Sequence, residues 1–144
     1  MHPIVVWYLA VVVPVPPSLG LPAAELAQGA LCGLDDYEDN GKRPKAKSVE
    51  SGGVDAVVCS SDTDWFWFEG VPGRRVEISI EADAARGVDV SLFPPRARKS
   101  RGRVLGSVQR RFIRYRMRRP GKHRIRIRTR ATKPIRYRLA VRPL

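Results

Sequence analysis

Residues 113–142 read IRYRMRRPGKHRIRIRTRATKPIRYRLAVR, an alternation of apolar residues and arginines. Ile113, Tyr115 and Met117 alternate with Arg114, Arg116 and Arg118. Ile125 and Ile127 alternate with Arg124, Arg126 and Arg128. Ile135, Tyr137, Leu139 and Val141 share a run with Arg136, Arg138 and Arg142. A period of two sends successive side chains to opposite faces of an extended chain, so each run is a strand with an apolar face and an arginine face. Pro120-Gly121 supplies the turn between the first two.

The same pattern continues upstream. Arg74 to Ala82 (RRVEISIEA) places Val76, Ile78 and Ile80 on one face, and Val88, Val90 and Leu92 repeat the theme before Pro94-Pro95 ends it. Ala56-Val57-Val58-Cys59 is a short apolar strand, and Asp64 to Glu69 (DWFWFE) is an aromatic one. Trp65 and Trp67 share one parity and Phe66 and Phe68 the other. One pair belongs to the core; the other is either covered in turn, as on a central strand, or open for stacking on sugars or bases. Residues 96–103 (RARKSRGR) lack any apolar period and read as a loop, and Ala82 to Arg86 is long enough for a single helical turn. About seven or eight strands of this kind predict an all-β chain, an antiparallel β-sandwich. With 144 residues, 43% of them hydrophobic, the chain suits one core, and its 12 Gly and 12 Pro favour turns over a helical bundle.

The sandwich is expected over residues 54–144, preceded by an extended polar lead-in over 31–53 and a signal-peptide-like leader over 1–30. The leader rests on the unbroken apolar run Ile4 to Val13, ended by Pro14, Pro16 and Pro17 and followed by small residues near Ala24 and Ala30. That run is far short of the roughly 20 residues a bilayer requires but suits a secretory signal. No Lys or Arg precedes it, so a buried strand is the alternative. The expectation is an exported protein, periplasmic or extracellular, with no transmembrane segment in the mature chain. Cys32 and Cys59 are the two cysteines. In an oxidising compartment they form a disulfide; in a reducing one they are two buried thiols.

Net charge is +13, unevenly spread. Residues 1–85 hold 6 Lys/Arg against 13 Asp/Glu, whereas residues 86–144 hold 21 Lys/Arg against the single acid Asp89. Such polarity speaks of partners rather than fold. The catalytic inventory is thin. His2 lies in the leader and His123 among arginines, so zinc sites of the His/Cys type lack ligands and a hydrolase triad lacks partners. The chain is expected not to be an enzyme.

One set of motifs resembles a known family. Asp36-Tyr37-Glu38-Asp39-Asn40, then Ala46, Asp62-x-Asp64-Trp65-Phe66-x-Phe68 and Val71-x-Gly73-x-x-Val76-x-Ile78 resemble the bacterial pre-peptidase C-terminal domain. Val88-x-Val90-x-Leu92, Tyr115 with Pro120-Gly121, Arg126, and Tyr137-x-Leu139 follow in the family's order, so the resemblance runs over residues 35–142. It implies a jelly-roll-like β-sandwich without catalytic activity, of the sort appended to secreted proteases; related domains of bacterial collagenases bind collagen and calcium. By that resemblance Asp36, Glu38, Asn40, Asp62 and Asp64 are candidate calcium ligands. Where the family carries Glu-Pro-Asn-Asp this chain has Glu38-Asp39-Asn40-Gly41, one carboxylate fewer. Read from the residues alone, Asp62 and Asp64 suit a hard cation that takes oxygen ligands, or they cap a turn while Tyr37 and Asn40 anchor the lead-in.

The arginine faces point to anions. If two of the three strands are neighbours, their rows stand about 5 Å apart and repel, and an anion laid across them relieves that repulsion. Guanidinium also grips phosphate, sulfate and carboxylate bidentately. Arg114, Arg116, Arg124, Arg126, Arg128, Arg136 and Arg138 are therefore candidate anion-binding residues. The bland alternative is a solvated face that guards against edge aggregation. The expected function is a binding or adhesion module for an anionic polymer, whether polysaccharide, lipopolysaccharide or extracellular nucleic acid. The rival is a structural or chaperone-like accessory that packs on another secreted protein such as a protease.

Overall fold

The computed structural model describes residue 32 and residues 35–49, 51–60 and 62–144. The leader over residues 1–30 lies outside the described residues. Nine strands are present among them: β1 (Lys47–Ser48), β2 (Val54–Val58), β3 (Thr63–Gly70), β4 (Arg75–Glu81), β5 (Val88–Phe93), β6 (Val104–Gly106), β7 (Arg110–Arg116), β8 (Gly121–Thr129) and β9 (Ile135–Pro143). Two single 3-10 turns, Arg43–Lys45 and Ala85–Gly87, are the helical elements described.

The strands form two sheets, a four-stranded one in the order β1-β3-β8-β5 and a five-stranded one in the order β2-β9-β4-β7-β6. Every pairing is antiparallel except β1 with β3. The apolar parity of each run points inward, as its period requires. Phe66, Phe68, Val90, Leu92, Ile125 and Ile127 from the first sheet meet Val54, Val58, Ile78, Ile80, Ile113, Tyr137 and Leu139 from the second in one continuous core. β4 is the middle strand of its sheet, and all five residues from Val76 to Ile80 are buried.

β1 and β6 are two and three residues long, too short for any period to show. β1 brings the lead-in into the sandwich, and Val49 N donates to Trp67 O at 2.9 Å beyond its end. The lead-in is thus part of the first sheet, and the boundary expected at residue 53 divides one structure. It also closes an edge, because Asp35 Oδ2 accepts from Val57 N (2.9 Å) on the outer strand β2. An edge with a satisfied donor is a poor template for another chain.

Cys32 and Cys59 are joined by a disulfide, Cα–Cα 6.0 Å. It closes a loop of 27 residues. Reduction, or Cys59→Ser, is expected to lower unfolding free energy by about 3 kcal/mol through the freedom returned to the unfolded chain. Urea titrations with and without reductant check this; coincident curves would contradict it.

Candidate anion-binding surfaces

The sheet orders separate the three arginine strands. β8 lies in the four-stranded sheet, while β7 and β9 lie in the other on either side of β4. No two are neighbours, so the single arginine patch expected from the sequence is not assembled. Its rows face outward on opposite sides of the sandwich.

On the five-stranded sheet, acids from β2 and β4 interleave the rows. Glu77 stands opposite Arg114 on one side and Arg142 on the other, and Glu81 lies between Arg138 and Arg110. Arg114 Nε reaches Glu77 Oε2 at 3.0 Å, Arg110 Nη2 pairs with Glu77 Oε1, and Arg138 Nη1 meets Asp55 Oδ2 at 2.7 Å. Glu77 is 7% exposed. Burial alone would raise its carboxyl, but Arg114 and Arg110 outweigh that and hold it below its ordinary value. Arg136 lines an open groove with Asp35, Asp55 and Asp83. This face is a salt-bridged mosaic.

On the four-stranded sheet, β8 runs between two aromatic strands. Trp65 and Ser91 flank Arg126, and Trp67 and Phe93 flank Arg124. The guanidinium of Arg126 stands 5.9 Å from the Trp65 ring and 5.2 Å from Phe93, and Arg43 from the lead-in lies over the same rings at 5.9 and 5.3 Å. Lys122 caps Trp67 at 4.1 Å. Cations over aromatic faces contribute roughly 0.5–2 kcal/mol each. Trp65 is buried beneath this layer, so both faces of β3 are covered. Burial and the neighbouring Arg128 lower Arg126, with Asp89 partly opposing, and Arg128 itself reaches Asp89 at 3.4 Å. Arg126, Arg43 and Lys122 form the outer layer over these rings, and Arg124 stands beside them in register with Trp67 and Phe93.

The five calcium candidates do not converge. Asp62 Oδ1 accepts from its neighbour Thr63 N (2.7 Å), Glu38 Oε2 accepts from Asp39 N (3.3 Å), and Asp36 is exposed. Asp64 shares the parity of Phe66 and Phe68, points inward, and accepts a hydrogen bond from the Tyr137 hydroxyl at 2.6 Å. Asn40 is buried, and its carbonyl oxygen takes Trp65 N at 3.1 Å. Among the described residues no three His, Cys, Asp or Glu side chains stand together as a metal cage. The acids do feel one another. Burial above all, then Asp62, Asp35 and Glu38, push Asp64 up to about 7 against the pull of the Tyr137 hydrogen bond. Burial and the Asp64 charge likewise push Tyr137 well above its ordinary value. Among the described residues these acids are not gathered as a calcium cage, and one Asp64 oxygen, Oδ2, is engaged by Tyr137. Calcium and chelator are expected to leave the melting temperature unchanged; a calcium-dependent rise would show that the acids rearrange into a cage.

His123 is wholly buried in the core, stacked on Phe68 at 5.3 Å, with Nδ1 2.9 Å from Gly121 O. No carboxylate among the described residues is paired with it.

A third surface was not anticipated. An open cleft of about 630 Å³ lies where the loop after β5 passes the end of β7 and the β7–β8 hairpin. Arg96, Arg101, Arg114, Arg116, Arg118 and Arg119 line it, together with Pro94, Pro95 and Tyr115, and no acid does. The loop is drawn in by Arg101 N donating to Leu92 O at 2.8 Å. It also needs Gly102, at φ +86°, where a Cβ would stand 2.5 Å from Ile113 Cγ2. Arg116 is directly opposite Arg75 on β4, a like-charge pair of the kind that destabilises a sheet. The sequence signal was present in the basic loop 96–103 between Pro94-Pro95 and Gly102, but nothing in it says which strand the loop folds onto.

No protein-family profile matches the chain, and no curated protein matches its sequence. Solved structures share its fold. The pre-peptidase C-terminal domain of a collagenase from Bacillus anthracis superposes with a TM-score of 0.57 at 14% identity, over 67% of this chain and 96% of that one. Aeromonas hydrophila PliG, a periplasmic inhibitor of g-type lysozyme, superposes with a TM-score of 0.52 at 16% identity, over 69% of this chain and 97% of that one. The class is therefore a two-sheet β-sandwich with the fold of pre-peptidase C-terminal domains. No helix among the described residues is long and apolar enough to cross a membrane.

Proposed function

We propose that this chain is an exported, non-catalytic binding module whose ligand is an anionic polymer at the cell surface or outside the cell. The observation that carries the reading is the cleft lined by six arginines and no acid, and among the described residues five of these arginines enter no ion pair. The disulfide fits an oxidising compartment.

Retention on immobilised heparin, DNA and lipopolysaccharide across a salt gradient tests this. Elution above physiological salt on at least one matrix is expected, with retention falling steeply as salt rises, because each neutralised charge releases a counterion. Elution below physiological salt on all three would reduce the arginines to a solvated surface.

The likeness to a lysozyme inhibitor and to a collagenase domain favours a second reading, an accessory that docks on another exported protein. Salt-insensitive loss of g-type lysozyme activity in the presence of the chain would support it over the first.

A further inference from the structure

We propose that the cleft between the β5–β6 loop and the β7–β8 hairpin is the seat of the ligand, and that it takes a sulfated or phosphorylated glycan strand rather than a nucleic acid. The inference rests on the polyanion reading above and narrows it to one site and one class of polymer.

Three arginine environments matter here, and the cleft is where unpaired guanidiniums gather with no acid among them. On the five-stranded face, Arg110, Arg114 and Arg138 are engaged by Glu77, Glu81 and Asp55. On the four-stranded face, Arg43 and Arg126 are laid over Trp65 and Phe93. In the cleft, Arg96, Arg101, Arg116, Arg118 and Arg119 are exposed and make no ion pair among the described residues. Only Arg114 reaches a carboxylate, on the sheet beside the cleft. The arrangement is held under stress. Arg116 faces Arg75 across the sheet, and Arg96 adopts φ +61°, a left-handed conformation uncommon outside glycine. An oxyanion that bridges two of the cleft's guanidiniums uses their paired N–H groups in parallel, which suits tetrahedral sulfate and phosphate esters.

The lining also discriminates between polymers. Sequence-independent recognition of single-stranded nucleic acid combines basic grooves with aromatic platforms on which bases stack. Tyr115 is the one aromatic lining the cleft, and it packs against the core. The other sheet's aromatics are capped by Arg43, Arg126 and Lys122, and on the cleft's own sheet Phe112, which does not line the cleft, lies under Arg110 and Arg114 at 5.4 and 5.0 Å. A glycan asks for nothing beyond the charges and the hydrogen-bonding fork.

Dextran sulfate, phosphorylated dextran and oligo(dT) of matched charge are the probes, with binding measured at physiological salt. Two triple variants remove equal charge. Arg116→Gln/Arg118→Gln/Arg119→Gln empties the cleft, and Arg86→Gln/Arg128→Gln/Arg130→Gln strips the opposite end of β8, roughly 25 Å away at the rise of a strand. All six side chains are exposed or at the surface, and circular dichroism verifies that both variants fold. The cleft triple is expected to lose at least about tenfold in affinity for the glycan probes and to flatten its salt dependence, while the far-end triple stays within about twofold. The stronger of the two dextrans identifies the ester. Equal losses in both triples would overturn the cleft as the site and leave the polyanion reading intact. Cleft-dependent oligo(dT) binding as tight as that of the dextrans would overturn the glycan assignment. No binding of any probe by the parent protein would overturn both.

Discussion

Unfolding free energy is expected to fall by a few kcal/mol between pH 5 and pH 8, the reverse of what paired carboxylates usually do. Asp64 is 2% exposed and sits at about 7 in the folded chain against an ordinary 3.8. The folded state therefore binds the proton more tightly than the unfolded one. Below the unfolded value both states are protonated and the group is neutral to stability; as pH climbs from about 4 to about 7 the unfolded chain ionises first, and stability is lost. A shift of about three units corresponds to on the order of 4 kcal/mol when complete. Glu77 acts in the opposite direction, since Arg114 and Arg110 lower it after burial has raised it. Its contribution is complete above its ordinary value of 4.5 and fades only in stronger acid. Stability should thus peak at about pH 4, and it is already falling at pH 5.

Asp64→Asn isolates the effect. The amide oxygen still accepts from the Tyr137 hydroxyl, but nothing ionises. Urea titrations at pH 5 and pH 8 should give nearly equal stabilities for the variant, and at pH 8 it should exceed the parent. A variant that keeps the parent's pH profile would place the titrating group elsewhere. Tyr137→Phe removes the donor and should cost about 1–3 kcal/mol at pH 8, where the buried carboxylate most needs it.

Gly70→Ala is expected to cost about 4 kcal/mol, above the usual range for a single added methyl. A Cβ on Gly70 would lie 2.2 Å from His123 Cε1 and 2.3 Å from Nδ1, with Met117 Sδ at 3.2 Å behind. The ring has nowhere to go, since His123 is fully buried, stacked on Phe68 and tied to Gly121 O through Nδ1. The double variant supplies the check. In a His123→Ala background the same substitution should cost less than about 1 kcal/mol, because the two positions are in direct contact and their effects cannot add. Equal costs in both backgrounds would mean that β3 and not the ring resists the side chain.

The strands were legible because each buries one face. A period of two in residues 74–82, 88–92 and 113–142 placed β4, β5, β7, β8 and β9, but left open whether Phe66 and Phe68 or Trp65 and Trp67 face the core, and so which way Asp64 points. Strand neighbours were not legible. Glu77 and Glu81 stand in the sequence some thirty residues before the arginines they neutralise, and periodicity carries no statement about which strand lies beside which. The arginine patch failed for that reason, with β4 inserted between β7 and β9 and β8 sent to the other sheet. The cleft was hidden by the same limit. Arg96 and Arg119 meet because one loop folds onto one hairpin, and a loop without periodicity gives no register.

The arginine cleft is best probed by the affinity for a fluorescent heparin oligosaccharide, followed by anisotropy from about 50 to about 300 mM salt. The account predicts a linear, steep fall of log affinity with log salt and measurable binding at physiological ionic strength. A flat dependence, or no binding at the low end of that range, would contradict it.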